Sequence, residues 1–328
     1  GHDGGLSYTS DISNTNYQTL FPWENKNNGY NVTQFYSVAI PSGSGDDRIM
    51  GGTQDNGTPY FRWGGEETSS SYDITLGDGG YCYFGKNFAF AARQNGQVDR
   101  IRYDTDGSIF GPYDAPRKYL QPNDATGQLF INPYAVDPND ENVMYYPAGS
   151  SLWRNSQIGT VPDDNQPMTG WSKLDNLSLP TGYVISAISI SNSSPSHRLY
   201  FGGSEFSQEP TGAPKIYRLD KANTATSGAV EISIPGIDPS TFLNNICVNP
   251  NNADELIAVF SNYNIIGVYH STNAGQSFTQ IEGNLVGEYE ENNKIYLGPS
   301  TRSAAILPTS SGTQYFLATS TGVYSTTT

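Results

Sequence analysis

Apolar positions in this chain come in short runs of about four to six residues, cut by Gly, Pro, Asn and Asp, and no useful stretch carries a helical period. The runs recur as one module: a short apolar strand, a Pro/Asn/Asp turn, a second strand ending in small residues, and a Gly-rich turn into a third strand. Clear copies run from 36–41 into 49–53 and from 135–138 into 143–146, with further copies at 184–203, 246–259 and 304–319. A weaker copy runs from 81–84 into 88–91. Third strands carrying an aromatic are read at 5–8, 151–154, 216–219, 267–270 and 322–325.

Six innermost strands spaced by about 45 to 65 residues match the period of four-stranded propeller blades. The pattern therefore predicts one all-β domain over 1–328, a β-propeller of four-stranded antiparallel blades. Six blades are expected, or seven if a longer parent chain adds one. The chain opens inside a motif, at Gly1-His2-Asp3-Gly4-Gly5, and is read as a processed or excised part of a larger secreted protein. The 35 Gly, 20 Pro and 23 Tyr suit many short strands and turns.

Charge narrows the partners. The formal net charge is -15, and the 17 basic residues are scattered along the chain. Such a body repels a nucleic-acid backbone and an anionic membrane surface, and no run of apolar residues is long enough to insert in a bilayer. The acidity suits an extracellular or cell-surface protein that binds cations. Cys82 and Cys247 lie in no metal-type spacing, and Cys247 sits in an apolar strand pattern, so a free core thiol is expected in preference to a disulfide.

Ser271-Thr272-Asn273-Ala274-Gly275-Gln276-Ser277-Phe278 resembles the Asp-box, Ser-x-Asp-x-Gly-x-Thr-Trp, with Asn for Asp, Ser for Thr and Phe for Trp. Ser10-Asp11 followed by Tyr17 is a more decayed version. Gly52-Thr53-Gln54-Asp55-Asn56-Gly57 and Gly77-Asp78-Gly79-Gly80 resemble segments of sialidase-like propellers and of the sortilin-like and xyloglucanase-like propellers of large secreted bacterial proteins. The resemblance implies a propeller whose box residues Ser271, Asn273, Gly275 and Phe278 build a turn. Those families include hydrolases, sorting receptors and modules without activity, so it leaves function open. A sialidase is disfavoured: no Arg-Ile-Pro occurs, and Arg62, Arg93, Arg154, Arg218 and Arg302 read equally well as strand arginines that brace blades.

In a four-stranded meander, the loop entering the first strand and the loop joining the second and third emerge on one side of the blade. Asp55 falls in a second-to-third loop and Asp78 in the loop entering the next blade. Asp3 and Asn95 hold the position of Asp55 one blade earlier and one later. All four are turn chemistry first, because Asn, Asp and Gly tolerate the positive φ of tight turns. Two sharper readings remain: a calcium site using Asp55 and Asp78 with Asp3 near, or an acid/base pair of Asp55 and Asp78 for glycoside hydrolysis.

Asp104-Thr105-Asp106-Gly107-Ser108 reads as a hairpin turn in preference to a calcium loop, and Asp163-Asp164-Asn165 as a solvated tip. His2, His197 and His270 suggest no shared metal, and His197 is expected to be exposed. The function expected is a non-catalytic recognition or structural module of a secreted or surface protein, binding a glycan, a protein or other domains of its parent, with no required cofactor. The alternative is a polysaccharide hydrolase with Trp23, Trp63 and Tyr60 as sugar platforms.

Overall fold

The computed structural model describes residues 6–10, 23–26, 33–43, 45–62, 71–104, 107–109, 116–285, 288–291 and 294–327. Its contacts divide the chain into two compact units, Gly1–Arg117 and Lys118–Thr328.

The first unit begins with a pair of short strands, β1 (Ser7–Tyr8) and β2 (Glu24–Asn25). A four-stranded antiparallel meander follows: β3 (Phe35–Ala39), β4 (Arg48–Thr53), β5 (Pro59–Arg62) and β6 (Ser71–Asp73). The next blade contributes β7 (Gly79–Phe84), β8 (Phe88–Arg93) and β9 (Val98–Arg102). Between these two sheets the inward positions of each strand bury Met50, Tyr60, Ile74, Phe84, Ala91 and Ile101, the period-2 consequence of strands with one face on a core.

In the second unit β10 (Lys118–Tyr119) is followed by three four-stranded meanders. These are β11 (Ala135–Val136), β12 (Met144–Ala148), β13 (Ser151–Asn155) and β14 (Ser172–Lys173); then β15 (Tyr183–Ile190), β16 (Leu199–Glu205), β17 (Lys215–Leu219) and β18 (Val230–Glu231); then β19 (Phe242–Asn249), β20 (Asn252–Ser261), β21 (Val268–Ser271) and β22 (Thr279–Gln280). A hairpin, β23 (Glu288–Glu291) and β24 (Lys294–Leu297), precedes a last sheet of three described strands, β25 (Thr301–Thr309), β26 (Gly312–Thr319) and β27 (Gly322–Thr326). Helix is confined, among the described residues, to three-residue 3-10 turns at Gln94–Gly96, Asp175–Leu177 and Gly283–Leu285. Among the described residues the fold is all-β, with antiparallel propeller-type blades and almost no helix, as the repeat rhythm predicts.

One device closes the complete blades. The residue just past the outer strand is apolar, and its N–H donates to a third-strand carbonyl: Ile74 to Thr58 at 2.9 Å, Leu174 to Leu152 at 2.8 Å, Ile232 to Ile216 at 2.8 Å and Ile281 to Val268 at 3.2 Å. Each side chain then packs between its own blade and the next. Burial of one such side chain contributes roughly 1.5–3 kcal/mol, so short outer strands hold without a long hydrogen-bond ladder.

Arginines supply the second link. Arg154 Nη1 on β13 donates to the carbonyls of Ala222 and Ala225 in the next blade's outer turn, both at 2.6 Å, and Arg218 on β17 repeats the contact to Ala274 at 3.0 Å. In the first unit Arg48 on β4 is locked by Asp46 and donates to the Gly107 carbonyl at 3.0 Å, with its guanidinium over the rings of Phe84 and Tyr103. A guanidinium suits this task because it can satisfy several carbonyls from one rigid fork.

Candidate functional site

Glycines decide how closely the two sheets of the first unit approach. A Cβ on Gly52 would lie 1.9 Å from the Gly80 carbonyl oxygen, and one on Gly79 would lie 2.1 Å from that of Gly57. Strands β4 and β7 thus meet backbone to backbone, and the loops at their ends are brought edge to edge. Gly57, at φ +60, donates its N–H to the Gly77 carbonyl at 2.7 Å and forms a parallel bridge with Asp78.

On this seam the carboxylate of Asp78 accepts the backbone N–H of Asp55 at 3.1 Å. Asp55 itself is at φ +62 and exposed. The backbone N–H of Asp78 donates to Gln94 Oε1 at 3.1 Å, and the N–H of Gln94 donates to the Asp78 carbonyl at 3.0 Å. Asn95, also exposed and at φ 62, stands at the tip of that third loop. Tyr36, on β3, has its phenol raised above its ordinary pKa by burial and by the negative charges of Asp78 and Asp55. The structure therefore brings Asp55, Asp78, Gln94 and Tyr36 together, with Asn56 and Asn95 displayed beside them. Asp3 lies outside the described residues.

Calcium takes about six to eight oxygen ligands. Among the described residues no group of three or more His, Cys, Asp or Glu side chains could hold a metal, and one Asp78 oxygen is already engaged by the Asp55 N–H. Two carboxylates with one oxygen committed are a thin donor set for this ion.

Next to the seam lies a charge network absent from the sequence expectations. Arg93, the last residue of β8, donates from Nη2 to both oxygens of Asp99 at 2.9 Å, and Arg117 donates from Nη1 to Asp99 at 3.2 Å and to the Ile74 carbonyl at 2.5 Å. Asp99 is 1% exposed and Arg117 3%. The available signal was a run of charges, Asp99, Arg100 and Arg102, inside an otherwise apolar strand; charges placed there need partners.

The turn at Ser271–Phe278 is held by its own side chains. Ser271 Oγ accepts the Gly275 N–H at 2.9 Å, and Asn273 Oδ1 accepts the Ser277 N–H at 2.9 Å. Ala274 and Gly275 take φ of 59 and 80, and Phe278 packs on the core beneath.

Other residues singled out from the sequence separate into local roles. Tyr60 is 2% exposed and packs between Tyr72 and Phe84, so it cannot be a sugar platform. Trp23 is 51% exposed, while Trp63 lies outside the described residues. His197, expected on the surface, is half-buried and paired with the fully buried Asp137 at 2.7 Å. Asp164 bonds Lys118 at 2.9 Å, which holds its carboxyl below the ordinary range. Asp104 and Gly107 close a turn by backbone hydrogen bonds. Arg62 and Arg302 are exposed. Both cysteines are free, and burial pushes Cys82 up to about 12 and Cys247 up to about 11.

Another buried carboxylate joins the last two blades. Glu255 on β20 accepts from Tyr315 at 2.7 Å and Asn249 at 2.7 Å, and pairs with His270 at 3.0 Å. Burial pushes its pKa up, but the three hydrogen bonds outweigh it and the net direction is down. A folded-state pKa below the unfolded one gives stability that is present above the ordinary Glu range and lost as pH falls through the lowered value. Replacing Glu255 by Gln is therefore expected to flatten the acid limb of a urea-stability profile; an unchanged acid limb would contradict the role.

No protein-family model matches the sequence, and no curated protein matches it. Among solved structures, the chain is similar to the crystal structure of the Niastella koreensis GH74 enzyme, at 12% identity and a TM-score of 0.48, over 89% of this chain and 52% of that one. The chain thus spans about half the length of that protein.

Proposed function

We propose that this chain is a non-catalytic recognition module of a secreted or surface protein, and that it binds a glycan on the loop group carrying Asp55, Asn56, Asp78 and Asn95. The observation that supports this reading is the hydrogen bond from the Asp55 N–H to the Asp78 carboxylate. It ties the two acidic residues into one clasp between loops, a turn-holding role. The exposed side chains of Asp55, Asn56 and Asn95 then stand on backbone fixed by the Gly57–Gly77 and Gln94–Asp78 bonds. Rigid polar groups of this kind suit the hydroxyls of a neutral sugar without the ordering cost of a mobile loop.

A glycan array followed by calorimetry on each hit, with a reducing-sugar assay alongside, tests the reading. Binding is expected to weaken about tenfold or more in Asn56→Ala and Asn95→Ala, with no sugar released; tenfold corresponds to about 1.4 kcal/mol. Sugar release abolished by Asp55→Asn and Asp78→Asn would establish the hydrolase instead, and hits insensitive to all four changes would move the site elsewhere. Melting curves with calcium and with chelator are expected to coincide, because the Asp55 N–H already bonds the Asp78 carboxylate and the remaining donor set is thin.

A further inference from the structure

The last sheet lacks, among the described residues, what the complete blades carry. Its third strand, β27, has a neighbour on one side only, β26. On the corresponding strands the carbonyls of Leu152, Ile216 and Val268 take the N–H of the apolar residue past the outer strand, and those three side chains are 0%, 0% and 3% exposed. Gly322-Val323-Tyr324 repeats Gly267-Val268-Tyr269, so Val323 holds the same position. It is 73% exposed. Tyr324 is 41% exposed where Tyr269 is 9%. Nor does β27 carry any of the charges or prolines that blunt a sheet edge against pairing.

Beside Tyr324 lies a cavity of about 300 Å³, walled by Ile281 and Leu285 of the preceding blade and by Ala304, Leu317 and Tyr324 of the last sheet. The preceding blade shows what fills such a place. There Phe278, just before the outer strand β22, packs with Tyr269 on the core shared with the blade before it. Three residues on, Ile281 packs with Val268 on the core shared with the blade after it. Trp171 and Leu174 repeat that spacing around β14, with Trp171 edge-on to Tyr146. An odd spacing puts the two side chains on opposite faces of an extended segment. A cavity of about 150 Å³ holds benzene, so this one has room for an aromatic ring.

We propose that the unpaired side of β27, together with this cavity, docks an extended segment of a partner protein with the residue order aromatic, polar, polar, aliphatic. The segment runs antiparallel to β27, as the outer strands of the complete blades do to their third strands. Its aromatic ring enters the cavity against Tyr324, its aliphatic side chain covers Val323, and the N–H of that aliphatic residue donates to the Val323 carbonyl. In strand addition of this kind the main-chain bonds supply affinity and the side-chain pockets supply selectivity. With a net charge of -15 on the chain, a basic residue at one of the polar positions is favoured over an acidic one. The surface uses none of the residues of the Asp55 loop group and does not rest on the function proposed there.

The test is calorimetric titration of the whole chain with a capped peptide of the sequence of residues 169–176, which carries Trp171, Lys173 and Leu174. The peptide is expected to bind at submillimolar concentration. Replacing its tryptophan by alanine, or methylating the amide nitrogen of its leucine, is expected to weaken binding about tenfold or more. Val323→Asp in the chain should weaken it similarly and leave the urea midpoint unchanged, because that side chain is 73% exposed. Should the variant fail to fold, the methylated peptide on the unmutated chain decides alone. No binding at millimolar peptide, or equal affinity for the methylated and unmethylated peptides, would overturn the proposal. Self-association of the chain that Val323→Asp abolishes would overturn it too, by giving the edge to a second copy.

Discussion

Gly52→Ala should destabilise the chain by at least about 3 kcal/mol, the upper part of the range for overpacking, and lower the yield of folded protein. The added methyl would sit 1.9 Å from the Gly80 carbonyl oxygen and 2.6 Å from both Gly79 C and Gly80 N. All three are backbone atoms, so no rotamer change relieves the clash; β4 and β7 would have to separate. Separation would also stretch the Gly57-to-Gly77 hydrogen bond and draw Asp55 away from Asp78. Against this, removing a glycine restricts the unfolded chain and returns only about 0.4–1 kcal/mol. The matched control is Gly43→Ala, where a Cβ would meet nothing within 4 Å and φ is not in the left-handed region; it is expected to be neutral or slightly stabilising. Urea denaturation of both variants decides the matter, and a Gly52→Ala loss below about 1 kcal/mol would mean that the two strands are not locked by backbone contact.

The same glycines show what the sequence makes legible. Strand runs and their spacing could be read because each blade repeats one local pattern, and a meander's alternation places Asp55 and Asp78 on adjacent loops without any knowledge of packing. The segments 52–57 and 77–80 stood out as motifs, but not for their physical reason: a glycine signals permissive backbone equally well for a turn or for a close approach. Partners across blades have no local signal at all. Tyr60 alternates correctly for a strand, yet nothing in its neighbours says whether the ring faces solvent or Phe84. His197 follows a Ser/Pro tip that reads as exposed, and only the neighbouring blade supplies Asp137. Local pattern carried the fold, and pairing between distant segments withheld most of the chemistry.

Asp99→Ala should cost about 3–5 kcal/mol, the range for breaking a buried ion pair by removing one partner. Asp99 takes Arg93 on both of its oxygens and Arg117 on one, and Arg117 is 3% exposed. Removing the carboxylate takes an opposite charge away from the buried Arg117 guanidinium, which also bonds the Ile74 carbonyl, and that carbonyl belongs to the residue that plugs the gap between the first two blades. Arg93, with 26% of its side chain exposed, can turn partly to solvent, so the penalty falls mainly on Arg117. The network's net worth is a different quantity from the cost of breaking it, because both charges were desolvated to form it. The double variant Asp99→Leu with Arg117→Leu removes the buried guanidinium along with the carboxylate it pairs with. It is therefore expected to lose less stability than Asp99→Ala alone, a non-additivity that only coupled groups produce. Arg93 would still lack its partner, so the double variant should remain less stable than the unmutated chain. Denaturant midpoints for the single and double variants provide the measurement. If the losses simply add, Asp99 and Arg117 are independent, and the triad is not what holds Ile74 and the Gln94 loop in place.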